Sequence, residues 1–305
     1  MELSIRQLTV AQNYQSLLKN IATGMKHVAI SLHLVALSLN HGLMIKISAS
    51  QNFTHKRGFI SLGANGSLFM DVADLKVLSI SGRYRRTEDL DAQRIPTLLS
   101  FSLRWIFEFR NTFWVAASTH AKEEVACGRI HHELRKDFPT LMTIIVPRHP
   151  ERGVSIRDDL SRLGLNVRTL SRGERPLQNT DVFLVDVVGA LMDVYMAAAG
   201  KPAFIGGSLF SGRGHNVSEA TLSGCSTIVG SFHETFAGVI EELNASGEEF
   251  CEVISAEIGL LRAVKSRLDD PVSTAALGFA SMERTLTLQR GVLENLWAGL
   301  QLEQI

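Results

Sequence analysis

From Thr112 onward the chain alternates short apolar runs with amphipathic stretches, and few folds accept that pattern. The runs 112–117, 141–146, 166–170, 181–186, 203–206 and 226–229 are short, apolar and rich in β-branched residues, so they predict buried strands. Between them, 121–136 places Val125, Ile130 and Leu134 near helical spacing, carries charges elsewhere, and stops at Pro139. Residues 154–163 end at Gly164, as helices commonly do. Strands and helices of this length in alternation imply a parallel sheet covered on both faces and built by right-handed crossovers. From Ala256 the pattern is helical, broken at Pro271. Residues 1–111 show no regular alternation, and we place a boundary near 110, in Glu108-Phe109-Arg110-Asn111.

Ligands of such sheets gather beyond the carboxyl ends of the strands. Two motifs occupy that edge. Gly206-Gly207-Ser208-Leu209 ends one apolar run and is followed by Gly214-His215-Asn216-Val217-Ser218-Glu219. The glycines permit close backbone approach, and Asn216 is a candidate N-cap of a helix whose free N–H groups favour anions. Glu219 either closes a capping box with Asn216 or accepts hydrogen bonds from a ribose diol. The second motif, Pro147-Arg148-His149-Pro150-Glu151-Arg152, follows another run. Arg148 is either a phosphate clamp or a surface partner of Glu151, and His149 either an anion donor or a packed residue. Val188-Gly189-Ala190 opens a further helix and could touch a base or phosphate, or be an ordinary turn. Ser118 and Thr119 read first as a capping pair, with anion contact as the alternative.

Composition removes other classes. A formal net charge of zero in 305 residues, with three Tyr and three Trp, argues against nucleic acid as a partner. Cys127, Cys225 and Cys251 are far apart and read as buried free thiols. The histidines lack metal-ligand spacing, so neither a metal nor a cofactor is expected, and neither a nucleophile elbow nor a Walker loop occurs. The sequon at Asn216 would need a secreted surface loop, which the cysteines disfavour. The run 28–39 has 12 residues, short of the roughly 20 that span a bilayer. Residues 1–70 hold one acidic residue, Glu2, against six Lys and Arg, which suits a membrane surface or an import signal.

Taken together, Ala117-Ser118-Thr119-His120 with Glu123-Glu124, then PRHPER over 147–152, then Gly206 to Leu209, Gly214 to Asn216 and Glu219-Ala220 resemble the 3-deoxy-D-manno-octulosonic acid (Kdo) transferases. These are inverting glycosyltransferases of the two-domain GT-B fold. The resemblance covers 112–300 and fades to an echo at 76–86. It implies a Rossmann-like C-terminal domain over 112–305 that binds CMP-Kdo, and a partial acceptor-side domain over 1–111, the chain being N-terminally truncated or divergent. It implies transfer of Kdo to a lipid A precursor in lipopolysaccharide synthesis. The setting would be the cytoplasmic face of a bacterial inner membrane, with peripheral membrane contact, or a mitochondrion in a eukaryote.

By matching position, Pro147, Arg148, Val188, Gly189, Ala190, Asn216, Val217, Ser218 and Glu219 would contact CMP, with Ser118, His149, Gly207 and His215 as further candidates. Arg148 would balance charge on the leaving phosphate. Two departures stand out. Val188-Gly189-Ala190 lacks the glutamate of the family's Met-Gly-Glu turn. The family's basic glutamate, in Ser-x-Gly-Glu, has no counterpart: the lookalike Ser61-Leu62-Gly63-Ala64 carries alanine. The catalytic residue is therefore unassigned, and two alternatives stay open: a non-catalytic nucleotide-binding relative, and a GT-B enzyme using another nucleotide sugar.

Overall fold

The computed structural model describes residues 97–110, 112–210, 212 and 214–301, with backbone only at 97, 98, 100, 101, 107 and 292–301. The run 28–39, the tetrapeptide 61–64, the echo at 76–86 and most of the partial N-terminal domain lie outside the described residues. The chain divides into two compact units. Asp91–Leu286 form one; the other comprises Met1–Leu90 and Thr287–Ile305, of which only 287–301 are described.

The larger unit is built on seven parallel strands: β1 (Phe113–Thr119), β2 (Met142–Pro147), β3 (Val167–Thr169), β4 (Val182–Leu184), β5 (Pro202–Ile205), β6 (Ser226–Gly230) and β7 (Cys251–Ile254). Their order is β3-β4-β2-β1-β5-β6-β7. The helices are α1 (Thr97–Phe109), α2 (Glu123–Arg135), α3 (Gly153–Arg162), α4 (Leu191–Ala197), α5 (Ser218–Leu222), α6 (Ala237–Asn244), α7 (Ala256–Asp269) and α8 (Pro271–Gln301). All six strands expected from the apolar runs are present, as are α2, α3 and the break before Pro271. Gly164 ends α3 with φ +81°, the left-handed conformation glycine adopts without strain.

Every residue of β1 and β2 is buried, as central parallel strands require. Trp114, Ile130, Leu134, Ile145, Phe204 and Leu260 share one apolar core with residues of α2, α3 and α7. All three cysteines are free and buried there or beside it. Arg110, in the stretch read as a boundary, is itself buried, and its guanidinium donates to the carbonyls of Thr140, Gln178 and Thr180. Burial lowers its pKa.

Helix α1, in a stretch read as lacking regular alternation, was missed, and two further elements were invisible to pattern. Strand β7 is an edge strand in which only Cys251 and Ile254 are buried, so it lacks the apolar run of its neighbours. Helix α6 buries only Ile240 and Leu243. The chain grows outward from β1 through β2 to β3 and β4, then returns past β1 to β5. The carboxyl ends of β1 and β5 therefore flank the crevice where the strand order reverses, the place where open α/β sheets bind ligands.

Candidate functional site

Strand β1 leaves the sheet through a register shift between Ala117 and Thr119, with Ser118 held at φ +53°. Such backbone strain costs of order 1–3 kcal/mol and gathers at functional sites. The capping role expected of Ser118 and Thr119 is not realised: α2 starts at Glu123, and Lys122 takes the flanking position without a side-chain bond.

Glu123 explains the next turns. Its carboxylate is buried and accepts four backbone N–H groups, from His120 (2.8 Å), Gly207 (2.7 Å), Ser208 (3.1 Å) and Leu209 (2.9 Å). One carboxylate thus joins the exit of β1 to the glycine turn after β5 across the crevice. The close approach that glycine serves here is internal: a Cβ on Gly206 would lie 2.7 Å from Glu123 Oε2 and 2.7 Å from Thr119 Cα. The anion held by the glycine turn is Glu123 itself, which corrects the expectation of an external one there. Gly207, at φ +68°, is buried beneath the rings of His120 and His215. The loop beyond it doubles back, Gly214 N–H donating to the Gly207 carbonyl at 2.9 Å.

The remaining candidates surround this plug. Pro147 ends β2, and the Arg148 N–H donates to the Thr119 carbonyl at 3.0 Å, fixing the loop beside His120. The Arg148 guanidinium is exposed and has no partner among the described residues. Glu151 does not pair with it but lies 3.1 Å from His149. The other arginine of PRHPER is spent structurally, since Arg152 grips the buried Glu124 at 2.8 and 3.2 Å. His120 Nε2 meets His215 Nε2 at 2.8 Å, the rings stacked with centroids 5.0 Å apart, and His149 stands edge-on to His120 at 5.7 Å.

Helix α5 begins at Ser218, two residues past Asn216. Asn216 is therefore one place ahead of the expected cap, yet its Oδ1 still accepts the Ser218 N–H at 2.9 Å. Val217, Ser218 and Glu219 are buried. Burial, reinforced by the charge of nearby Glu219, pushes the Tyr195 hydroxyl well above its usual pKa. Val188 is 91% exposed, Gly189 takes φ +87°, and Ala190 leads into α4. Burial raises the pKa of Asp193 in the first turn of α4. The candidates thus follow β2, β4, β5 and, for Ser118, β1, all at carboxyl ends. Sequence reasoning missed the role of Glu123 and the pairing of His120 with His215. An i,i+3 relation between His120 and Glu123 was the one local signal.

A doubly wound parallel sheet with its polar residues gathered at the switch point defines a Rossmann-like α/β domain. The comparisons make this specific. The chain is similar to the C-terminal CMP-Kdo binding domain of WaaA from Acinetobacter baumannii, with 26% identity, a TM-score of 0.56, and coverage of 62% of this chain and 98% of that one. It is 35% identical over 199 residues to a 3-deoxy-D-manno-octulosonic acid transferase of Haemophilus influenzae. It is also 31% identical over 191 residues to a protein of Arabidopsis thaliana named "Probable 3-deoxy-D-manno-octulosonic acid transferase, mitochondrial". No protein-family model matches. The Kdo transferase resemblance read from the motifs is borne out. The chain covers 42% and 45% of the length of the two relatives, which is less than half of each. Among the described residues no helix is long and apolar enough to cross a membrane.

Proposed function

We propose that the carboxyl edge of this domain holds the CMP moiety of CMP-Kdo and that the protein serves Kdo transfer to a lipid A precursor. The observation that carries the reading is Arg148: an exposed, unpartnered guanidinium at the switch-point crevice, in a domain like one that binds CMP-Kdo. Its planar fork suits a phosphate, and it faces no competing carboxylate because Glu123 and Glu124 are occupied. Pro147 and the turn 188–190 flank the nucleotide, and Asn216 to Glu219 supply contacts to phosphate and ribose. As the sugar departs, negative charge grows on the CMP phosphate, and Arg148 stabilises it without a resident metal or cofactor. On this reading the residues before Asp91 serve the acceptor side. The lipid acceptor puts the work at a membrane surface, on the cytoplasmic face of a bacterial inner membrane or, in a eukaryote, in a mitochondrion.

Turnover tests this. The full chain, given CMP-Kdo and a lipid A precursor, is expected to release CMP in step with Kdo-bearing lipid. Saturable CMP binding without transfer would instead favour the non-catalytic relative. Stronger competition by UDP than by CMP would point to another nucleotide sugar.

A further inference from the structure

The histidines at this edge have a use beyond contact, an inference that rests on the donor-site reading above. An Nε2 to Nε2 distance of 2.8 Å requires one ring to donate and the other to accept. Such a pair can accept one proton on an outer nitrogen and keep its bond, now charge-assisted, whereas a second would set two N–H groups against each other. His120 Nδ1 has no partner among the described residues, so with His120 as donor the outer nitrogen is open to a proton. We propose that the His120–His215 pair takes up a proton when the phosphate of CMP binds, adding a positive charge at this edge.

The surroundings favour this. Glu123 from α2 is tied to backbone N–H groups, among them that of His120. From the β2 loop come Arg148 and His149. After β6, His233 approaches Gly214 next to His215, with its Nδ1 on the Gly230 carbonyl at 2.8 Å. Glu219 lies in the first turn of α5. A phosphomonoester, whose second pKa is about 6, arrives largely as a dianion near neutral pH and rewards each positive charge at the edge.

The test is calorimetric titration of the full chain with CMP near neutral pH, in buffers of different ionisation enthalpy, with cytidine as the probe lacking phosphate. We expect net proton uptake with CMP and none with cytidine. His120→Gln should bind CMP more weakly and lose the uptake, while His132→Gln, on the exposed face of α2, keeps it. His215→Gln gives a second reading should His120→Gln fail to fold. Absence of saturable CMP binding overturns the donor-site reading. Binding without proton uptake, or uptake unchanged in His120→Gln and His215→Gln, overturns the role of the pair and leaves the donor site standing.

Discussion

At the scale of single residues, Glu123 has the largest structural role at the site. A carboxylate leaves water only when its lone pairs are filled, and this one is filled by four N–H groups at the positive end of its own helix. Gln in its place offers a single carbonyl oxygen and turns an NH2 group toward backbone donors. Glu123→Gln is therefore expected to cost about 3 kcal/mol, given about 1.5–3 kcal/mol for a charged hydrogen bond, measurable as a lower urea midpoint. A midpoint unchanged from wild type would show that the crevice does not depend on it. The sequence presents Glu123 as one of several charges on a helix; three of its four partners lie at 207–209, and local pattern cannot see that separation. Arg148, by contrast, was legible because its position after a strand fixes its place on the edge.

At the scale of elements, the sheet was legible because buried parallel strands are written as continuous apolar runs, whereas β7 and α6, half exposed, are not. The junction of β1 with the turn after β5 is closely packed, and Gly206→Ala probes it. The added Cβ meets Thr119 Cα and the Ser118 carbonyl at 2.7 and 2.8 Å, backbone atoms that can move only if the strands do. Overpacking of this kind costs about 1–3 kcal/mol, and we expect CMP binding to weaken along with the thermal midpoint.

At the opposite edge, α2 is fastened to the start of β4 through Asp181, which receives Arg135 at 2.6 Å and the Asn166 N–H at 2.8 Å, with His131 at 3.6 Å. Burial alone would raise the pKa of Asp181, but His131, the Asn166 N–H and Arg135 outweigh it and hold it low. Because the folded value lies below the unfolded one of about 3.9, this stabilisation is complete above that pH and fades as pH falls through the folded pKa. Asp181→Asn should lose stability at neutral pH and show a shallower acid limb in urea midpoints. A parallel shift at every pH would contradict this.

At the scale of the molecule, the unit Asp91–Leu286 contains the crevice, Arg148, the histidine pair and the Asn216 turn together. Sequence order alone placed them on one edge, since each follows a strand of a parallel sheet. What it could not supply was which backbone donors were already spent: those of Gly207, Ser208 and Leu209 are taken by Glu123. The most direct measurement is calorimetric titration of the full chain with CMP, wild type against Arg148→Ala. Saturable binding is expected, weakening about tenfold or more in the variant, the worth of a charge-assisted contact. Absence of saturable binding, or equal affinity in the two proteins, would contradict it.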